Sequence, residues 1–164
     1  MISVILLAGG ESKRMKGENK LTKKIDGIPL INHAVKNILS SSINELIIVL
    51  GYEKDAIKKI IKKNDKIRFA FNKNFKTGMA SSIITGLKKL PKKNKAFFIS
   101  LGDMPYIKSE IYNLLINSMN NKDIVVPIYN GAQGHPVLFD NSVKKEIMSI
   151  HGDVGAKKIL SLNK

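Results

Sequence analysis

The chain has no cysteine and no tryptophan, and aromatic residues make up only 6% of its 164 positions. Without cysteine it can form no disulfide and no zinc–thiolate site. Runs long enough to cross a bilayer as a helix, roughly 20 apolar residues, are missing too. The opening run Ile2–Ala8 is far too short and has no basic segment before it. It reads as a strand rather than a signal peptide, so a cytoplasmic protein without a membrane partner is the expectation. Arginine is nearly absent: Arg14 and Arg68 apart, the 28 basic residues that outnumber 13 acidic ones are lysines, for a net charge of +15. These lysines spread over helix-like segments such as 54–63 and 88–95. With no RNP-type aromatic pattern and no helix-turn-helix signature, the charge reads as a solvated face and a field for anionic substrates, not as a specific nucleic-acid site. What is present is a core: a 43% hydrophobic fraction argues against disorder, and the length fits one domain over residues 1–164.

Short apolar runs rich in Ile, Val, Phe and Leu predict strands at 2–7, 46–50, 67–71, 96–101 and 123–128, each buried on both faces. Helical patterns lie between them, near 30–41, 54–63, 79–90 and 108–119. In the second, Ala56, Ile57, Ile60 and Ile61 recur at helical spacing with lysines opposite. Thr77 and Gly78 mark the entry to the third and Pro91 follows its end. Such alternation predicts a three-layer α/β/α domain on a mostly parallel sheet with a Rossmann-like nucleotide-binding half. Past residue 129 the order changes: a loop with Gly131 and Gly134, a short strand at Val137–Phe139, and helical pieces near 141–149 and 154–161.

Four segments at strand ends carry candidate chemistry. The first follows the opening strand, where Leu7, Ala8, Gly9 and Gly10 lead into a loop with Gly17, Arg14 and Lys20. Glycines let backbone N–H groups approach phosphate oxygens, and the two cations would neutralise them; the plain alternative is an ordinary βα turn. The loop fits neither G-x-G-x-x-G nor the P-loop spacing. In the second segment, Gly102 and Pro105 bracket Asp103, a carboxylate suited either to a hard cation or to a turn. The third runs from Asn72 to Ser82. Its Asn72 amide could read a base or ribose, and Ser81 and Ser82 either contact phosphate or start the helix. The fourth is Gly134-His135-Pro136, with His135 held extended before proline and either structural or a donor to an acceptor substrate. Asp153 reads as the cap of the last helix, and His33 as a packing residue inside a helix.

In this order the segments resemble the molybdopterin nucleotidyltransferases, and most closely the molybdenum cofactor cytidylyltransferases. The resemblance rests on the Leu7–Lys20 loop, Gly78-Met79-Ala80-Ser81-Ser82, Gly102-Asp103-Met104-Pro105, Gly134-His135-Pro136-Val137 and Gly152-Asp153-Val154-Gly155-Ala156. It spans about residues 2–160. The last two segments point to the cytidylyl branch, whereas Ala8-Gly9-Gly10 is the form usual in guanylyltransferases, which leaves the base open between CTP and GTP. The spacer from Arg14 to Lys20 is longer than in the family by one residue. Family members also run on past the position of Lys164 to an acidic Asp-x-Asp-Thr-Pro segment, so the domain reads as C-terminally short.

The resemblance implies Mg²⁺-dependent transfer of CMP or GMP from the triphosphate to the phosphate of molybdopterin, with release of pyrophosphate. It implies Arg14 and Lys20 clamping the triphosphate and Asp103 holding Mg²⁺. The backbone of Leu7, Ala8, Gly9 and Gly10 would lie against base and phosphates, with Asn72, Ser81 and Ser82 positioning the nucleoside. Gly134, His135 and Pro136 would face the pterin acceptor. A molybdoenzyme or its chaperone is an implied partner. Two other functions stay open: transfer to a sugar phosphate or another small molecule, and a non-catalytic domain that binds nucleotide or a partner.

Overall fold

Ile2 to Leu7 is apolar at every position but Ser3, as a strand covered on both faces should be. In the computed structural model, which describes residues 1–11 and 19–152, this run is β1 (Ile2–Ala8). A small hairpin of β2 (Lys24–Ile25) and β3 (Ile28–Pro29) leads into α1 (Leu30–Leu39). Next come β4 (Glu45–Leu50), α2 (Lys54–Ile60), β5 (Ile67–Phe71), α3 (Met79–Leu87) and β6 (Ala96–Leu101). The chain continues through α4 (Ser109–Asn117), β7 (Ile124–Val125), β8 (Ile128–Tyr129), β9 (Ala132–Gln133), β10 (Val137–Asp140) and α5 (Lys144–Ile147).

Six strands form one sheet in the order β5-β4-β1-β6-β10-β7. β1 runs parallel to β4 (Ser3 opposite Glu45, Ala8 opposite Leu50) and to β6 (Ile2 opposite Ala96). Only β10 runs against its neighbours, β6 and β7. The pleat sends Val4, Leu6, Leu46, Ile48 and Phe98 to one face, where they pack with Ile31, Val35 and Ile38 of α1, Ile57 of α2 and Leu115 of α4. Ile5, Ile47, Val49, Phe97 and Ile99 meet Ile83 and Leu87 of α3 and Ile147 of α5 on the other. This is the expected three-layer α/β/α architecture, with Tyr112 of α4 and Phe97 and Phe98 of β6 among its largest fully buried side chains. No helix among the described residues is long and apolar enough to cross a membrane.

The chain leaves β1 toward β4 on one side and later crosses from β5 to β6 on the other. That reversal makes a topological switch point, where open α/β sheets bind ligands outside the carboxyl ends of their strands.

Four expectations change. β5 is not buried on both faces: it lies at the sheet edge, with Arg68, Phe69 and Phe71 exposed and only Ala70 buried. The run 123–128 is not one strand: Pro127 lacks an N–H to continue a ladder, and only Ile124–Val125 joins the main sheet. The loop with Gly131 is a hairpin, β8 against β9, turning at Asn130 and Gly131 with φ of 49° and 76°. Of the apolar face expected for α2, Ile57 is buried as expected but Ala56 is exposed, and the helix ends at Ile60 rather than 63. The helix expected at 154–161 lies outside the described residues.

Candidate active site

At the end of β1 the main chain is crowded by design of composition. A Cβ on Gly9 would meet Gly51 N at 3.0 Å, and one on Gly51 would meet Gly9 O at 2.6 Å and Phe75 Cβ at 2.7 Å. Only glycine at both positions lets the ends of β1 and β4 close on each other, fixed by Tyr52 N donating to Gly9 O at 3.1 Å. Gly10, by contrast, faces open space. Leu7, Ala8, Gly9 and Gly10 thus form a rim with a tight wall behind and room in front. Arg14 lies outside the described residues.

The chain re-enters at Asn19, which caps a short 3₁₀ turn over Lys20–Thr22 by accepting Leu21 N on Oδ1. Leu21 is buried beneath Gly102, whose N–H donates to Leu7 O at 2.9 Å. This anchoring brings the turn to the loop after β6, where Lys20 Nζ lies 3.3 Å from Asp103 Oδ2, with 45% of each side chain exposed. Two residues separated by 83 positions, expected as triphosphate cation and metal ligand, therefore meet at the switch point.

Asn72, at the end of β5, is buried. Its Nδ2 donates to Ser81 Oγ at 2.8 Å and Ser82 Oγ at 2.9 Å, and its Oδ1 accepts Asn74 N. The Asn72 amide nitrogen is thus engaged by the two serines within the chain. Ser81 Oγ has the Gly78 and Asn74 carbonyls in reach, the role of a helix start, and Gly78 adopts φ 112° just before α3. Ala80 N donates to Gly152 O at 3.2 Å, which brings the Gly152 end of the last segment to the α3 terminus. Asp153 itself lies outside the described residues.

Beside Asp103 opens a cleft of about 590 Å³ lined by Ile25, Leu30, Met104, Pro105, Tyr106, Ile107 and His135. His135 is carried there by the turn before β10, where Pro136 is buried. The structure thus places Lys20, Asp103 and His135 around one region, while the Gly9–Gly10 rim and the Asn72–Ser82 cluster lie at the ends of β1 and β5. Sequence reading missed Gly51; its signal was a glycine directly after an apolar strand.

Whether a divalent cation fits is decided by the donors. No group of three His, Asp or Glu that could cage a metal occurs among the described residues. Mg²⁺, however, is ordinarily held by one or two carboxylates plus water and substrate phosphates. Asp103, half-exposed at the mouth of a cleft, suits a cation that arrives with its triphosphate.

Fold and site together define a doubly wound α/β domain with a charged centre at its switch point. The chain belongs to the MobA-like NTP transferase domain family, whose model matches residues 4–164. It is 32% identical over 134 residues to a probable molybdenum cofactor guanylyltransferase of Natranaerobius thermophilus, covering 79% of this chain and 62% of that protein. It is 26% identical over 137 residues to the molybdenum cofactor cytidylyltransferase of Escherichia coli K12 (84% and 69% covered). It is also 26% identical over 170 residues to the bifunctional protein GlmU of Acetivibrio thermocellus (99% and 36% covered). The chain thus spans between about a third and two thirds of the length of these curated relatives. Among solved structures, Rv0371c of Mycobacterium tuberculosis superposes with a TM-score of 0.88 at 23% identity, covering 98% of this chain and 82% of that one. That likeness concerns the fold.

Proposed function

We propose that the protein is a nucleotidyltransferase that moves CMP or GMP from the nucleoside triphosphate to the phosphate of molybdopterin, releasing pyrophosphate. The observation that carries this reading is the meeting of Lys20 and Asp103 at the switch point, at the mouth of a cleft that also holds His135. The relatives named as molybdenum cofactor guanylyl- and cytidylyltransferases supply the acceptor and leave both bases in play.

The chemistry needs little acid–base help. A phosphate monoester has its second pKa near ~6, so the acceptor oxygen is already anionic at neutral pH. That oxygen bonds to the α-phosphorus while the α–β bridging bond breaks and its electron pair leaves with pyrophosphate. The obstacle is repulsion between anions, which fixed cations and N–H dipoles relieve. Lys20 serves the triphosphate, and Arg14 is assigned with it. The Leu7–Gly10 backbone lies against base and phosphates, and Asn72 holds Ser81 and Ser82 toward the nucleoside. Asp103 would hold Mg²⁺, which supplies charge neutralisation between the phosphates when bound. Gly134, His135 and Pro136, with the apolar cleft, receive the acceptor.

The test is a screen of all four NTPs against molybdopterin, following pyrophosphate release with and without Mg²⁺. CTP- or GTP-dependent release that requires molybdopterin is the expected result. Release only with sugar phosphates would move the assignment to a sugar-nucleotide transferase, and no release with any acceptor would favour a non-catalytic domain.

A further inference from the structure

α1 carries three partly buried polar residues: Asn32, which donates to Ile60 O at the end of α2 at 3.0 Å, and His33 and Asn37, which are four positions apart and hence share one face. The core contacts of the helix come from Leu30, Ile31, Ala34, Val35 and Ile38. Neither His33 nor Asn37 bonds within its own helix. His33 Nε2 lies 3.0 Å from Ile25 O, and because a carbonyl only accepts, Nε2 carries the hydrogen. Asn37 Nδ2 donates to Pro105 O at 3.0 Å.

Those two carbonyls belong to two separate segments that line one space. Ile25 sits in the β2–β3 hairpin, whose neck is closed by Leu30 N donating to Lys23 O at 2.7 Å. Pro105 sits in the loop after β6, two residues past Asp103. Ile25 and Pro105 both line the cleft beside Asp103. One helix face therefore holds both walls, each by a single side-chain donor to a main-chain oxygen, so the separation of the walls follows the fixed spacing of the two residues along the helix.

We propose that His33 and Asn37 are positioning residues that brace the two walls of the cleft beside Asp103 and so set how the acceptor is held. The link to the acceptor rests on the function proposed above; the brace itself does not. The brace acts on the acceptor side, since the Gly9–Gly10 rim and the Asn72–Ser82 cluster hang from other elements.

The experiment uses the full chain with His33→Ala, His33→Gln, Asn37→Ala and Asn37→Asp. Gln restores an N–H donor at position 33, whereas Asp keeps the shape of Asn37 and loses its donor. Hydrogen exchange is read over residues 24–29 and 103–107, and KM is measured separately for molybdopterin and for the NTP. His33→Ala should speed exchange chiefly in 24–29, and Asn37→Ala and Asn37→Asp chiefly in 103–107. Each should raise the molybdopterin KM by roughly three- to tenfold, the equivalent of one neutral hydrogen bond. For His33→Ala, whose segment carries none of the residues assigned to the triphosphate, the NTP KM should stay within about twofold, and His33→Gln should recover most of the loss. Unchanged exchange in both segments would overturn the brace, whatever the acceptor. Faster exchange with an unchanged molybdopterin KM, or a parallel rise in both KM values in His33→Ala, would overturn its role in acceptor binding. If the wild type turns over no acceptor, the functional reading fails, and exchange alone then decides the brace.

Discussion

An ammonium and a carboxylate 3.3 Å apart, each nearly half in solvent, hold one another weakly: pairs of that exposure are worth about 0.2–1 kcal/mol. Breaking the Lys20–Asp103 contact itself therefore costs little. Asp103→Asn should leave thermal unfolding within the small range of a surface change yet remove Mg²⁺-dependent pyrophosphate release. Lys20→Ala should lower kcat/KM for the NTP by on the order of 10²–10³, as for a lost transition-state donor. Lys58→Ala, on the exposed face of α2, should change it by less than about twofold. Steady-state kinetics on the three variants check this, and equal small effects in all would count against the phosphate role. A second residue-scale consequence lies in the core. Tyr112 OH sits 2.7 Å from Ser100 Oγ, and burial pushes its pKa up to about 12, against a smaller lowering by that hydrogen bond. The unfolded chain ionises near 10, so between pH 10 and 12 the unfolded state has lost a proton that the folded state keeps, and stability falls with rising pH. Tyr112→Phe should be less stable than wild type by about 1 kcal/mol at neutral pH. Denaturant titrations should show that difference narrowing above pH 10, where the variant escapes the loss.

The helices and strands differ in how much of them the sequence alone could show. β1, β4, β5 and β6 were legible within a residue because each is a bounded apolar run. β7 was not, because in Ile124-Val125-Val126-Pro127-Ile128 composition cannot say which residues pair and which belong to the arm beyond the proline. The β8–β9 hairpin did carry a signal, Asn130-Gly131, since both positions of its turn need positive φ. The glycines and the carboxylate of the site were legible as types at strand ends. Their meeting was not: the Lys20–Asp103 pair depends on strand order, and Asn72 looked like a ligand reader because nothing in sequence shows that two serines take its hydrogens. Gly86 carries an element-scale prediction. A Cβ there would fall inside the space of Ile5 Cγ2 and within 3.1 Å of Val49 Cγ2, so α3 lies on the sheet as closely as its backbone permits. Gly86→Ala gains about 1 kcal/mol of helix propensity but must push packed β1 and β4 side chains aside. The net should be a destabilisation of about 1–2 kcal/mol, measured as a lowered denaturation midpoint with unchanged slope.

For the whole molecule, the charge of +15 is a field spread over lysines. Some of them guard the sheet: Lys54 Nζ stands 4.3 Å from the Phe71 ring centre and Lys58 Nζ 5.7 Å from that of Phe69, over the edge strand β5. Charged cover of this kind discourages edge-to-edge pairing. Binding to DNA or RNA should accordingly be weak, blind to sequence, and reduced at least tenfold between about 50 and 200 mM salt; fluorescence anisotropy with unrelated oligonucleotides checks it. The sheet has one further consequence, from the reversed direction of β10. The loops with Gly9–Gly10, Asn72 and Asp103 follow β1, β5 and β6, and each is bound to the order of the parallel core. Gly134–Pro136 instead precedes a strand running away from the site, and the chain upstream of it is the β8–β9 arm. Lengthening, trimming or exchanging that arm shifts no parallel strand and no residue of the Lys20–Asp103 centre. The arm is therefore a graft point: another segment spliced between β7 and β10 should leave the parallel core and the Lys20–Asp103 pair as they stand.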